Sequence, residues 1–233
     1  MRVPTNASQY KLGPASLTEA LFESLRARII NGDIAPGERV TEQRVADEYG
    51  VARPTAKSCL ERLTSLGLLR RTAHKSAVVP RLDRAEIEDL FFSRETFESA
   101  AVVNLARRRL LPEEAGRAQE VMTRAARAKD FAEQVQADIR FHWSLVQGLG
   151  SERLSRMYEM VSGEIHLTMG QYSAHRRTSP SNVVAEHQAI MAAIEAGDED
   201  AARTELTEHL AHARDRVLAE IVDDEPELSP SRR

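Results

Sequence analysis

The chain has 233 residues, 42% hydrophobic and 29% charged, with aromatics at only 5%; this is a globular composition whose core rests on Leu, Ala, Val and Ile. A single cysteine, Cys59, excludes an intramolecular disulfide and points to a reducing compartment, and no apolar run approaches the roughly 20 residues that span a bilayer. The net charge of −4 argues against a nucleic-acid partner until it is divided: residues 1–80 carry 12 Lys+Arg against 8 Asp+Glu, residues 81–233 carry 20 against 28, so only the front is suited to phosphate.

Residues 1–15, which include Arg2, Pro4, Asn6, Ser8 and Gln9, lack the apolar stretch of a signal peptide and read as a flexible arm on a cytoplasmic protein. Leu17, Leu21, Leu25 and Ile29 then recur at helical spacing, with Phe22 and Ile30 widening the face and Ser16 or Thr18 as cap. Asn31-Gly32-Asp33 ends that helix and Pro36-Gly37 makes a turn. Thr41 precedes a short helix over 42–49, with Val45, Ala46 and Tyr49 inward and Gly50 as its stop. A third helix runs over 53–66 and turns Ala56, Cys59, Leu60 and Leu63 inward.

Two short helices joined through a glycine turn form the helix-turn-helix pattern, in which the second helix enters the DNA major groove. Arg53 and Lys57 lie on one face of that second helix, with Thr55 and Ser58 as short hydrogen bonders beside them. The same pattern also suits a basic, solvated helix face. Gly67-Leu68-Leu69-Arg70-Arg71 turns the chain from helix to strand, residues 72–76 are polar and basic, and Ala77-Val78-Val79 returns as a second strand. The expectation is a two-stranded wing, with Arg71, His74 and Lys75 placed for the DNA backbone or minor groove.

The run Ile29-Ile30-Asn31-Gly32-Asp33-Ile34-Ala35-Pro36-Gly37-Glu38-Arg39-Val40 resembles the opening signature of the GntR family. Val45-Ala46, Gly50-Val51, Arg53, Leu60, Leu63 and Gly67-Leu68 continue that resemblance through a winged helix-turn-helix domain over 16–80. It implies double-stranded operator DNA as partner, contacted by Arg53 and Lys57. The chain departs from the family pattern at Ala52, where Ser or Thr is usual, and at His74 and Ser76, where glycines are. A further departure is Gln43, where an Arg often contacts DNA; Arg44 stands beside it.

A connector over 81–84 leads to an all-helical region over 85–223 and a disordered tail over 224–233. Six helices are expected: 86–109, from Pro112 to about 129, 131–149, from 151 to about 173, from Pro180 or Ser181 to Gly197-Asp198, and 200 to about 223. Asp138 and His142 share one helix face, four residues apart, while His187 and His209 lie on two amphipathic helices that a hairpin at Gly197-Asp198 brings together. One carboxylate and three imidazoles suit a divalent transition metal, although helix-surface or core histidines fit the spacing too, and His212 competes as a ligand. His166 and His175 have no evident site.

Asp138-x-x-x-His142, Glu186-His187-x-x-Ile190-x-x-Ala193-Ile194-x-x-Gly197-Asp198 and His209-Leu210 resemble the FCD effector domain of the FadR subfamily, and the six-helix count resembles its VanR-type branch. The resemblance implies Asp138, His142, His187 and His209 as ligands of zinc or nickel, and a homodimer. Arg94-x-x-Phe97-Glu98 resembles a family motif whose Arg meets an acidic effector; its spacing equally fits an ion pair with Glu98. Arg140 and Asn182 are further candidates for the cavity. The expected function is a non-enzymatic, ligand-responsive transcriptional regulator, a repressor released by a small organic acid. The alternatives are a metal-responsive regulator and, more remotely, a metalloenzyme.

Overall fold

A computed structural model describes residues 17–71, 76–172 and 179–221. The expected arm, Ser16, His74, Lys75, His175 and the expected tail lie outside the described residues. The chain divides after Pro80 into two units, each with its own core.

In the first unit, α1 (Leu17–Ile30) buries Leu21, Phe22, Leu25, Ile29 and Ile30. Leu17 belongs to the same periodic row but opens the helix, a full turn ahead of the packed stretch, and is 65% exposed. A tight turn leads to β1 (Arg39–Val40). Helix α2 (Glu42–Tyr49) starts where the Thr41 side chain accepts the Arg44 amide at 3.1 Å, and stops at Gly50, whose left-handed backbone favours glycine. Val45 and Ala46 are buried, whereas Tyr49 is only half-buried: its hydroxyl hydrogen-bonds Ser24 at 3.0 Å and accepts from Arg28 at 3.2 Å.

Helix α3 (Arg53–Ser65) packs on α1 and α2 through Ala56, Cys59, Leu60 and Leu63, the four residues its periodicity selects. Its N-cap, Ala52, has the extended backbone of a cap but no side chain to act as one. The wing differs from the expected two-stranded form. β2 (Ala77–Val78) pairs antiparallel with β1, Arg39 opposite Val78, while Arg70 forms a single bridge on the other edge of β2. The short Arg39–Val40 segment following the Pro36-Gly37 turn thus supplies a strand that sequence periodicity does not reveal.

The second unit holds six helices among the described residues: α4 (Arg84–Arg108), α5 (Glu113–Ala128), α6 (Phe131–Gln147), α7 (Glu152–Tyr172), α8 (Pro180–Ala196) and α9 (Glu199–Leu218). Asp83 and Glu86 close a reciprocal capping box at the start of α4. Helix α4 contacts α6, α7, α8 and α9, and its Leu105 shares one apolar core with Phe141, Ile190 and Leu206 of those neighbours. Gly197, left-handed at φ 76°, ends α8, and Asp198 caps α9 by accepting the Ala201 amide at 2.9 Å. This tight junction sets α8 against α9. No helix among the described residues is long and apolar enough to cross a membrane.

Candidate functional site

Two sets of side chains were expected to carry chemistry, one in each unit. On α3, Arg53 and Lys57 are exposed and Thr55 is half-buried. Arg53 reaches Glu42 at 3.9 Å and Lys57 reaches Glu61 at 3.8 Å, both long contacts that solvent and phosphate readily replace. Arg71 approaches the same Glu42 at 3.6 Å, so one carboxylate lies close to two cations of the candidate DNA surface. Arg44 is differently placed: it donates to Glu48 at 2.6 Å, to Glu38 at 2.5 Å and to the Arg39 carbonyl at 3.3 Å. These bonds tie α2 to the segment before it and would have to break for Arg44 to reach a phosphate.

In the second unit, Asp138, His142, His187 and His209 come together from α6, α8 and α9, all buried, each offering one ligand atom within 4.8 Å of the others. The Nε2 atoms of His142 and His209 are 3.1 Å apart and those of His187 and His209 3.3 Å. Asp138 Oδ1 lies 3.3 Å from His187 Nε2 and 3.9 Å from His142 Nε2. A metal with bonds of about 2.0–2.2 Å sets its ligand atoms roughly 3–3.5 Å apart, so the spacing fits.

The protons fit as well. His142 Nδ1 donates to Glu98 at 2.6 Å and His209 Nδ1 donates to Glu186 at 2.8 Å. With those protons committed to carboxylates, both Nε2 atoms present lone pairs, and two lone pairs 3.1 Å apart repel unless a cation lies between them. Burial lowers the pKa of His187 to about 3 and also lowers that of His209, which keeps both rings in the neutral, ligating form. Burial works to raise the Asp138 carboxyl, but the His187 hydrogen bond and the charge of Arg94 hold it well below the usual carboxylate range. The second Asp138 oxygen and His187 Nδ1 have no hydrogen-bond partner. A metal bound here would be held by these four side chains and supply positive charge for an anionic ligand.

Behind the four stands a buried network of which the sequence offered only the Arg94–Glu98 pair. Arg94 Nε donates to Glu98 at 2.7 Å, and Tyr158 on α7 donates its hydroxyl to the same carboxylate. The Arg94–Glu98 pair is therefore fully enclosed rather than on the surface, and Arg94 Nη1 has no hydrogen-bond partner. Burial opposes charge on Glu98, but Arg94 and then His142 hold its carboxyl well below the usual range. Glu186 bridges His209 and the exposed His212, to which it is 2.9 Å distant. His212 thus stands outside the cluster of four, as does His166, whose Nδ1 bonds the Ser162 carbonyl at 3.0 Å.

A pocket reaches this cluster, with Asp138 and His209 in its wall together with Gln134, Thr168, Arg216 and a larger set of apolar residues. Arg140 and Asn182 are exposed on α6 and α8 and do not line it. Arg140 follows Asp138 by two residues, about 200° around the helix, which turns it from the core. Two lining residues had a readable signal: Gln134 precedes Asp138 by one turn, and Arg216 follows His209 by two.

Residues 17–79 match the family described as bacterial regulatory proteins, gntR family, and residues 89–212 match the FCD domain. An HTH-type transcriptional regulator from an unstable DNA locus of Streptomyces ambofaciens is 27% identical over 198 residues, covering 84% of this chain and 83% of its own. Among solved structures, a GntR transcriptional regulator from Rhodococcus sp. RHA1 gives a TM-score of 0.75 at 24% identity, over 88% of this chain and 99% of its own. Escherichia coli McbR/YncC gives 0.71 at 20% identity, over 88% and 98%. Both share the fold.

Proposed function

The chain belongs to the GntR family of bacterial regulatory proteins and carries an FCD domain, and on that premise we propose that this DNA-binding transcriptional regulator is a repressor released by a small organic acid. The observation that carries the reading is the cavity that opens onto Asp138 and His209. A pocket that ends at a metal-ligand set suits a small anionic ligand, because the metal and a nearby guanidinium both favour carboxylate. Zinc or nickel, held by Asp138, His142, His187 and His209, supplies that charge. Arg94 is not in the cavity wall and acts from behind: it neutralises Glu98, which holds His142 in the ligating tautomer.

In the first unit, Arg53 and Lys57 of α3 contact operator DNA, with Thr55 beside them and Arg71 extending the surface. Two copies in a homodimer present two such helices to a palindromic operator. The acid binds one arrangement of the dimer more tightly and so draws the population from the DNA-competent one.

The test is fluorescence anisotropy on a duplex from the gene's own upstream region, with zinc-loaded protein, as a panel of organic acids is added. Release of DNA by at least one acid and not by zinc removal alone is expected. Release that follows free zinc with no acid present would establish the metal as the signal instead. Indifference to the duplex at low salt would overturn the reading altogether.

A further inference from the structure

The cavity wall is more selective than the general reading requires. Phe91, Val135, Ile165, Met169, Val183 and Val217 give it an apolar surface contributed by α4, α6, α7, α8 and α9. Its polar groups are Gln134, Thr168, Asp138, His209 and Arg216, and Gln134 already has a partner. Thr168 already donates its hydroxyl to the Ile165 carbonyl at 2.7 Å. Asp138 and His209 belong to the metal-ligand set. Arg216 is the cation of the wall, and it makes no hydrogen bond or ion pair among the described residues.

Arg216 stands two turns after His209 on α9, about 10 Å along the helix from the metal cluster. It is half-buried. A cation in the last turn of a helix also favours the helix dipole. That role needs no place in a cavity wall, and Arg216 has one.

We propose that this cavity takes an organic monoanion with an apolar body, an aryl or branched-alkyl carboxylic acid, and that Arg216 receives its charge. The inference rests on the reading of the cavity as a ligand site and narrows it to one chemical class. A guanidinium with no direct hydrogen bond or ion pair among the described residues, acted on only by longer-range charges such as those of Glu186 and Asp138, binds a carboxylate through two parallel N–H bonds. The body of such an acid exchanges water for the six apolar side chains. A polyhydroxylated acid fits poorly. Each of its hydroxyls facing the apolar side chains of that wall gives up bonds to water and gains none there, an unfavourable exchange.

The test is titration calorimetry on full-length, zinc-loaded protein with phenylacetate, 4-methylpentanoate, phenylacetamide, gluconate and citrate. The two apolar acids are expected to bind at least ten-fold more tightly than gluconate or citrate, and phenylacetamide at least ten-fold more weakly than phenylacetate. Arg216→Gln should cost phenylacetate at least ten-fold while zinc stoichiometry and anisotropy on the upstream duplex stay unchanged; Arg216→Lys should recover part of the loss. A merely structural Arg216 would leave the order of the acids intact in both variants. Gluconate or citrate binding as tightly as phenylacetate, phenylacetate binding unaltered by Arg216→Gln, or no acid binding at all would each overturn the proposal. Its fate is separable from that of the regulatory reading. Apolar acids that bind in this order without releasing DNA keep the cavity assignment and remove the release mechanism; gluconate that releases DNA does the reverse.

Discussion

The two oxygens of Glu186 engage His209 and His212, and only the first of these rings belongs to the ligand cluster. Glu186→Gln keeps the shape but weakens the hydrogen bond that orients His209, so zinc affinity should fall about 10- to 100-fold, read by chelator competition, with little change in urea stability. Glu98→Gln should behave differently because Arg94 is enclosed with it. Removing one partner leaves a buried charge uncompensated, and a stability loss of about 3–5 kcal/mol is expected, measured by urea unfolding. Equal stability in the two variants would show that the Arg94–Glu98 pair does not hold the bundle. Acid acts on a third residue. Burial lowers His187 to about 3 from an ordinary 6.5, so between those values the unfolded chain binds a proton that the folded chain does not. Stability of the chelator-treated protein is then full above about pH 6.5 and falls as pH drops toward 3, by up to about 1.4 kcal/mol per pH unit for this group. A urea midpoint that stays flat from pH 7 to 4.5 would contradict the burial of His187 as a neutral ring.

Glycine separates two kinds of element position in the second unit. Gly197 has φ 76°, and a Cβ there would lie 2.6 Å from Arg109 Nε, so Gly197→Ala should cost at least about 1 kcal/mol and loosen the α8–α9 junction that aligns His187 with His209. Gly116 lies within α5 with open space around it, so Gly116→Ala should instead stabilise by about 0.5–1 kcal/mol. Urea midpoints of opposite sign, with zinc affinity reduced only by the first change, are the expected result. These elements were legible because local chemistry marks them: Thr41 and Gly50 bound α2, and Gly197-Asp198 marks the hairpin of α8 and α9. The clustering of Asp138, His142, His187 and His209 was legible for the same reason, the first two lying at i,i+4 on α6 and the others on either side of a short turn. What stayed hidden depends on tertiary contact. Strand β1 is two residues long and is recognised only through its pairing with Ala77–Val78. Glu98 meets His142 across 44 positions of sequence, which no periodicity encodes. Arg44 looked free to meet DNA because Glu38 and Glu48 stand on either side of it in sequence yet close on it only once folded.

At the scale of the whole molecule, the charge division suits residues 1–80 to phosphate while the pocket lies in the second unit, so regulation by a ligand there would require the two binding events to be coupled. Coupling between sites is reciprocal: if an acid weakens operator affinity by some factor, the operator must weaken affinity for the acid by the same factor. Couplings of about 1–3 kcal/mol are typical, a change of roughly 5- to 150-fold. For zinc-loaded protein, calorimetry with phenylacetate should therefore give a weaker affinity when saturating upstream duplex is present. The ratio of the two affinities should equal the shift in duplex affinity measured by anisotropy as phenylacetate is varied. Arg53→Ala should weaken operator binding by about 1–3 kcal/mol if Arg53 reads a base edge, and should leave the acid affinity of the DNA-free protein unchanged. Identical phenylacetate affinity with and without operator would mean that occupancy of the cavity carries no information to the DNA surface, however tightly each ligand binds alone.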